Sequence, residues 1–284
     1  MAKTPGTLWI VATPIGNLED LSPRAQRILG EVDLVVCEDT RHSGRLLAAF
    51  GVKARFASLH EHNEEREVPG LVARLAAGES IALVSDAGTP LLSDPGYRLV
   101  RAAGAAGLAV SPVPGPSAVL AALSVAGLPT DRFAFEGFLP ARAAARQARL
   151  TALAQEPRTL VLFESGHRLV ALLADAAQVL GPERGAVVAR ELTKLHETLY
   201  RGTLAELAAR VASDPDASRG ENVVVIAGCE RAATGAGDES MLARLLPALL
   251  EELPPSRAVR IAAKLTGVTR RRAYELALQL GAAP

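Results

Sequence analysis

Short apolar runs alternate with helix-length segments in the first part of the chain. The runs are rich in aliphatic and β-branched residues and end in turn residues, as buried strands do. They cover residues 7–12, 33–38, 54–59, 80–85 and 108–114. Because helical segments separate them, successive strands are joined by crossovers, which predicts a mainly parallel sheet. We therefore expect an N-terminal α/β domain over residues 1–116.

Capping residues set the helix boundaries in this domain. Ser22 and Pro23 form an N-cap and first-turn pair that opens a helix running to Gly30. Further helices are predicted over 45–51, in a long segment that ends at 78, and over 95–106.

A second α/β domain is predicted over residues 117–230. Its strands are expected at 132–137, 158–165, 186–191, 196–202 and 222–228. Only the residues from Leu192 to Leu195 separate the third and fourth of these strands, too few for a parallel crossover. This pair should form an antiparallel hairpin, so the second sheet is predicted to be mixed. The fold class is therefore two-domain α/β with a small helical tail.

The last part of the chain has a different character. Residues 230–239 are small and polar and predict a linker before a basic helical tail over 240–284, interrupted at Pro254. From residue 254 onward there are six basic residues and one acidic residue. Two helices joined at Gly267, with Thr269 as a cap, would resemble a helix-turn-helix. A solvated basic helix and an RNA contact are both consistent with this pattern.

Composition narrows the function classes. The 284 residues carry 31 basic and 31 acidic side chains, so the net charge is zero. Binding to nucleic acid through the overall charge of the chain is therefore disfavoured. The two cysteines lie far apart in apolar runs and predict reduced core residues. No signal peptide pattern and no run of 18 apolar residues is present, so we expect a cytoplasmic protein without a membrane partner.

Several common site motifs are absent from the sequence. There is no GxxxxGK[ST], no GxGxxG after the first strand, no GxSxG and no HExxH. His60 and His62 could supply two imidazoles, but no third ligand follows at metal spacing. We therefore expect no metal.

Three loops follow predicted strands and are rich in glycine, proline and short polar residues: 12–17, 85–96 and 112–118. Open α/β sheets bind ligands at such strand ends. Asp86 and Asp94 could reach a ligand there, although Asp94 before a proline also fits a helix N-cap. Gly115 permits close backbone approach, and Ser117 opens a helix whose N–H groups favour an anion or simply need a cap.

Eight runs carry a family resemblance, in order from about residue 6 to 228. They are ATPIGNLEDLSPRA, CEDTRHSGRLL, LHEHNE, LVSDAGTPLLSDPGYRLV, PVPGPSAV, GLPTDRFAFEGFLP, LFESGHRL and VARELTKLHE. Together they resemble the tetrapyrrole (corrin/porphyrin) methylase superfamily. EDTRHS, HEHNE and ARELTKLHE resemble its ribosomal RNA branch in particular.

The resemblance implies S-adenosylmethionine (SAM) bound between two domains, usually in a homodimer. It also implies 2′-O-methylation of a cytidine in small-subunit (16S) ribosomal RNA. The implied cofactor contacts, with Gly115 added from its loop, are Pro14, Ser85, Asp86, Ala87, Gly88, Thr89, Gly115 and Ser117. The chain departs from the family at Gly166, where proline is usual. It also departs in the segment directly after FLP (138–140), which has only three basic residues, Arg142, Arg146 and Arg149, where the family is usually richer in Lys and Arg.

A ribose 2′-hydroxyl is a poor nucleophile while protonated, so a nearby base would help. The candidates are Glu38, Asp39, His42 and Glu164. Each has a structural alternative: Asp39 could cap a helix, Glu164 could pair with Arg168, and His42 could be a solvated helix residue.

Arginines are the candidates for phosphate or cofactor carboxylate contacts. Arg190 and Arg41 could hold either group, and the predicted RNA contacts are Arg41, Arg142, Arg146, Arg270, Arg271 and Arg272. Two rival readings stay open: a related methyltransferase with a small-molecule or diphthine-type substrate, and a non-catalytic RNA-binding module built on the tail.

Overall fold

The computed structural model describes residues 4–214, 219–229 and 239–281. By their contacts these residues form two compact units, one up to Gly228 and one from Cys229 onward. Most of the predicted linker, residues 230–238, lies outside the described residues. The predicted domain boundaries at residues 116 and 230 stay predictions.

The first sheet of the larger unit is entirely parallel, as predicted. Its strands are β1 (Thr7–Val11), β2 (Leu34–Cys37), β3 (Phe56–Ser58), β4 (Ile81–Val84) and β5 (Ala109–Val113), in the order β3-β2-β4-β1-β5. Both faces are covered, and every residue of β2 and β4 is buried. One face packs against α1 (Pro23–Glu31) and α2 (Thr40–Ala49), the other against α3 (Glu64–Ala76) and α4 (Tyr97–Ala105). This burial explains why the strands read as continuous apolar runs.

The starts of α2 and α4 decide between the capping alternatives that the sequence left open. The helix predicted to include residues 45–51 begins at Thr40, and the Asp39 carboxylate caps it by accepting a hydrogen bond from the Arg41 N–H, which confirms the capping alternative for Asp39. The helix predicted from residue 95 begins at Tyr97, and its N-cap is Gly96 instead of Asp94. The expectation that Asp94 caps this helix is therefore wrong.

The second sheet is mixed, as predicted. Its strands are β6 (Phe133–Phe138), β7 (Thr159–Ser165), β8 (Gly185–Arg190), β9 (Thr198–Thr203) and β10 (Glu221–Ile226), in the order β6-β7-β10-β8-β9. Only β6 and β7 pair in parallel, and β8 and β9 form the predicted antiparallel hairpin. The helices α6 (Ala143–Leu153), α7 (Gly166–Leu180) and α8 (Leu204–Ser213) cover one face. The opposite face packs against α5 (Ala118–Ala126) and against Ile15, which comes from the loop after β1.

The smaller unit has a core of its own. It consists of α9 (Glu239–Glu252), α10 (Pro255–Thr266) and α11 (Arg270–Gln279), packed around Leu242, Leu246 and Ala262. Gly267 adopts the left-handed conformation between α10 and α11, and Thr269 caps α11, as predicted. None of the helices in the described ranges has the length and apolar character needed to span a bilayer.

Candidate active site

The three glycine- and proline-rich loops come together in the larger unit. Thr13 and Gly88 exchange backbone hydrogen bonds of 2.9 and 3.0 Å, which join the first loop to the second. The Thr89 hydroxyl donates to the Pro116 carbonyl at 3.0 Å and joins the second loop to the third. The meeting of these loops at one end of the sheet follows from its parallel order, since the carboxyl ends of parallel strands share an edge.

The predicted cofactor residues have structural partners within these loops. Ser85 is buried, and its hydroxyl donates to the Gly88 carbonyl at 3.1 Å. Gly88 has φ of +83°, so a side chain there would be strained. A Cβ at Gly115 would lie 3.0 Å from the Ala12 Cβ, so this glycine permits a close approach. Ser117 is the N-cap of α5 but makes no side-chain capping bond.

The loops face the second sheet across a cleft of about 440 Å³. This volume is within the roughly 300–1,000 Å³ typical of small-molecule sites. On the side of the first sheet the cleft is lined by Ile15, Glu38, Asp86, Ala87, Leu92, Ser93 and Asp94.

The second sheet presents an apolar row to the cleft. Phe138, Phe163, Val223 and Ala189 are successive cross-strand partners on β6, β7, β10 and β8, so their side chains share one face. All four line the cleft, and we call them the apolar floor. The rings of Phe138 and Phe163 meet edge to face with centroids 5.7 Å apart.

A polar rim borders the apolar floor. Ser165 and Glu221 are the next cross-strand pair on the same face of the sheet, and Glu191 follows β8. The Lys194 ammonium donates to Glu191 at 2.9 Å and to Glu221 at 3.0 Å. Sequence reasoning missed these residues, although the position of Glu191 and Ser165 at strand ends was a signal that could have found them.

Strained backbone is concentrated in the loop over residues 85–96 and in the loop after β8, both of which line this cleft. In the described part of the chain, non-glycine residues with positive φ are Leu91, Ser93, Glu191 and Thr193. Such conformations cost of order 1–3 kcal/mol each and persist where surrounding contacts fix them. A Cβ at Gly16 would lie 2.3 Å from the Lys194 Cγ, which shows how closely the first loop meets the loop after β8.

Two buried oxygens beside the cleft have no hydrogen-bond partner among the described residues: Glu164 Oε2 and Asn222 Oδ1. The two residues are cross-strand partners, 1% and 3% exposed, and both border the cleft. The other Glu164 carboxylate oxygen accepts from the Ser165 N–H at 2.9 Å and lies 3.1 Å from the Arg168 Nε. The predicted i,i+4 pair is therefore present.

The other three predicted catalytic residues, Glu38, Asp39 and His42, lie at different places relative to the cleft. Glu38 lines the cleft. Asp39 lies beside it, where hydrogen bonds from the Arg41 side chain and backbone lower the pKa of its carboxyl to about 2. His42 is exposed on α2 and is not part of the cleft lining.

The predicted phosphate-binding arginines also differ in their surroundings. Arg146 is 5% exposed, and its Nε donates to the Asp175 carboxylate at 2.6 Å, so its position does not fit an RNA contact. Arg190 is buried and donates to the Arg219 carbonyl. Arg41 is exposed but held by Asp39, and Arg142 is exposed at the start of α6.

In the smaller unit, two predicted RNA contacts are ion-paired within it. Arg271 pairs with Glu275 at 3.1 Å and Arg272 with Glu239 at 2.8 Å. Arg270 instead lines one concave surface with Arg260 and Lys264, beside the turn between α10 and α11.

Comparison with known proteins agrees with this architecture. The tetrapyrrole (corrin/porphyrin) methylase family matches residues 7–208, and the RsmI C-terminal HTH domain matches residues 236–281. The ribosomal RNA small subunit methyltransferase I of Xylella fastidiosa is 55% identical over 272 residues, covering 96% of this chain and 99% of that protein. This chain belongs to the ribosomal RNA small subunit methyltransferase I family of the tetrapyrrole methylases.

Other relatives are consistent with this assignment. The protein of the same name from Pseudomonas aeruginosa is 55% identical over 277 residues, covering 96% of this chain and 97% of the relative. Among solved structures, uroporphyrin-III C-methyl transferase from Thermus thermophilus, complexed with S-adenyl homocysteine, matches with a TM-score of 0.53 and 21% identity. The match covers 78% of this chain and 97% of the Thermus thermophilus chain, and it is evidence for the fold only.

Within the described residues, no group of three or more His, Cys, Asp or Glu side chains is arranged to hold a metal ion. His60 and His62 contact each other edge to face with ring centroids 6.0 Å apart.

Proposed function

We propose that this protein uses SAM to methylate the 2′-hydroxyl of a cytidine in small-subunit (16S) ribosomal RNA. The observation that carries the proposal is the near full-length match to relatives named ribosomal RNA small subunit methyltransferase I. The cleft supports it, because its loops are those on which the family resemblance rests. Such a substrate would place the protein in the cytoplasm, and a homodimer is part of the proposal.

The cleft has the chemistry that SAM requires. Glu38, Asp86 and Asp94, which we call the carboxylate cluster, present negative charge that complements a sulfonium and an ammonium group. The apolar floor offers aromatic and aliphatic surface to a flat adenine ring.

The protein contributes mainly position to this reaction. SAM, when bound, supplies an already activated methyl group, so the chain must align donor and acceptor and exclude water. Fixing two reactants in this way can lower a barrier by ~7–11 kcal/mol. The Thr13–Gly88 and Thr89–Pro116 hydrogen bonds join the loops to one another, which supports this role.

The smaller unit supplies basic surface for the RNA. Arg260, Lys264 and Arg270 are exposed on one concave surface and have no ion pair with other described residues. Because Arg271 and Arg272 are already paired with glutamates, we move the proposed phosphate contacts from them to this surface. Phosphate contacts of this kind make binding depend strongly on salt.

Charge reversal tests the RNA surface. The triple variant Arg260→Glu, Lys264→Glu, Arg270→Glu should bind small subunits more weakly, and the slope of log affinity against log salt should fall by about one unit per lost contact. Arg271→Glu is the matched control and should have a smaller effect. Equal losses in both variants would contradict this assignment.

A transfer assay tests the function itself. The protein is incubated with tritium-labelled SAM and undermethylated small subunits, with naked rRNA and with a porphyrinoid as parallel acceptors. Label in 2′-O-methylcytidine supports the proposal, whereas label in the porphyrinoid favours a small-molecule methyltransferase.

Calorimetric titration with SAM is a second test. Asp86→Ala should bind SAM more weakly than the wild type. A wild-type protein that binds no SAM would favour a non-catalytic RNA-binding module.

A further inference from the structure

The cleft has a strongly acidic lining. The only lysine or arginine among the described residues that line it is Lys194, which is paired with two of the lining carboxylates. Burial, and then the charges of neighbouring carboxylates, raise the pKa of Asp94 to about 6. Negative charge at this density repels phosphate groups. An RNA strand that brings one ribose into the cleft must therefore keep its phosphates at the mouth. The lining acids are Glu38, Asp86, Asp94, Glu164, Glu191 and Glu221.

Ring side chains lie on two segments that adjoin this acidic lining. His60 and His62 belong to the loop after β3, and the serine that ends β3 donates its hydroxyl to the Glu38 carbonyl at 3.0 Å. Tyr97 is the first residue of α4, directly after the loop over residues 85–96. Both segments follow carboxyl ends of parallel strands, where open α/β sheets bind their ligands. We call His60, His62 and Tyr97 the ring platform.

One buried carboxylate ties the histidine loop to the start of α4. Glu64 is 7% exposed, and it accepts hydrogen bonds from the Gly96 N–H at 3.1 Å and the Arg98 N–H at 3.0 Å. A buried carboxylate is unfavourable unless hydrogen bonds of this kind compensate it. Since Glu64 lies two positions after His62 and its two donors flank Tyr97, this contact fixes the segments that carry the rings.

The histidine loop is also held by its own hydrogen bonds. The Asn63 side chain accepts from the His60 backbone N–H at 2.8 Å and donates to the Ser58 carbonyl at 3.0 Å. Both bonds use backbone groups of the loop, so they engage neither imidazole. The two rings meet edge to face with centroids 6.0 Å apart, and His60 is half-buried whereas His62 is exposed. The inner ring of His60 therefore supports the outer ring of His62.

The outer rings of the platform are open to solvent. Tyr97 is 65% exposed, more than any other tyrosine, phenylalanine or tryptophan of the described ranges. Tyrosine and histidine rings are surfaces on which unpaired RNA bases stack. Such stacking accepts any base, because every base has a π face. The ring platform thus has the chemistry to hold bases that stay outside the acidic cleft.

We propose that the ring platform binds unpaired bases of the RNA that flank the target nucleotide. This inference rests on the proposed function. The cleft receives the target ribose, the ring platform stacks with neighbouring bases, and the basic surface of the smaller unit contacts phosphates. Stacking releases no counterions, so this contact differs from the phosphate contacts in its dependence on salt.

The test measures the affinity for undermethylated small subunits as a function of salt. Tyr97→Ala and His62→Ala should each weaken binding by roughly 5- to 150-fold, the effect of losing one stacked base. Tyr97→Phe keeps a ring and should bind like the wild type. For Tyr97→Ala the slope of log affinity against log salt should stay that of the wild type, because no phosphate contact is lost.

Two controls separate stacking from a general loss of structure. Lys53→Ala changes an exposed residue before β3, at the opposite end of the strand from the histidines, and should bind like the wild type. Calorimetry should show that Tyr97→Ala and His62→Ala bind SAM with unchanged affinity. Weaker SAM binding in step with weaker subunit binding would overturn the proposal, since it would indicate damage to the cleft.

Photo-cross-linking identifies what the platform contacts. The full chain carries p-azidophenylalanine at position 97, which preserves an aromatic ring, and is irradiated together with small subunits. A cross-link to ribosomal RNA supports the proposal. A cross-link only to a ribosomal protein, or no cross-link while the subunits are bound, would overturn it, and this readout holds even if Tyr97→Ala does not fold.

The outcomes separate this inference from the proposed function. A wild-type protein that transfers no methyl group to RNA would refute the proposed function. If the wild type transfers the methyl group but Tyr97→Ala and His62→Ala bind subunits as tightly as it does, the ring platform alone is overturned.

Discussion

Replacing Asp94 by asparagine should stabilise the free protein at neutral pH. The pKa of Asp94 is raised from 3.8 to about 6, so folding favours the protonated acid. The stability that a protonated Asp94 provides is present below pH 3.8 and is lost as the pH rises through about 6. Asparagine resembles the neutral acid at every pH and therefore avoids this loss.

The size of this stabilisation follows from the change in the pKa of Asp94. A change of about two pKa units corresponds to roughly 3 kcal/mol at neutral pH. Because Asp94 is only half-buried, solvent screening reduces the expected gain to about 1 kcal/mol. The difference between Asp94→Asn and the wild type should shrink as the pH falls toward about 4.

Urea unfolding followed by fluorescence measures this difference. Trp9 is the only tryptophan of the chain and lies on β1 of the larger unit, so its emission reports the unit that contains Asp94. The midpoint for Asp94→Asn should exceed that of the wild type at neutral pH. A variant that is less stable, or a difference independent of pH, would refute the account of the carboxylate cluster.

Three other substitutions, one of them a control, test the structural contacts described above. Arg146→Ala leaves the Asp175 carboxylate buried without its ion pair and should cost about 3–5 kcal/mol of unfolding free energy, read by urea denaturation; a cost near zero would contradict the buried pair. Gly16→Ala places a Cβ 2.3 Å from the Lys194 Cγ and should cost about 1–3 kcal/mol, whereas Gly30→Ala meets no atom within 4 Å and should be neutral or stabilising by up to about 1 kcal/mol. Equal effects of the two glycine variants in thermal melts would contradict the close approach of the Gly16 loop.

The sequence predicted the sheets well because their signals are local. Buried strands such as β4 appear as continuous apolar runs, and the short connection from Leu192 to Leu195 allowed only a hairpin. The meeting of the three loops also followed from the predicted parallel order. These features need only strand type and chain direction.

The sequence could not reveal contacts between distant segments. The Gly96 and Arg98 N–H groups at the N-terminus of α4 donate to the carboxylate of Glu64, 32 positions before Gly96, whereas the local pattern favoured Asp94 as the partner. Arg146 resembles a surface cation in sequence, but Asp175 on another helix holds it in the interior. The apolar floor depends on the register of four strands, which hydrophobic alternation alone does not fix.

The most direct measurement is a crystal structure of the protein grown with S-adenosylhomocysteine. We predict density for the molecule in the cleft, between the loop over residues 85–96 and the apolar floor. Density elsewhere on the protein, or a cleft that stays empty at saturating concentration, would contradict the assignment of this cleft to methyl transfer.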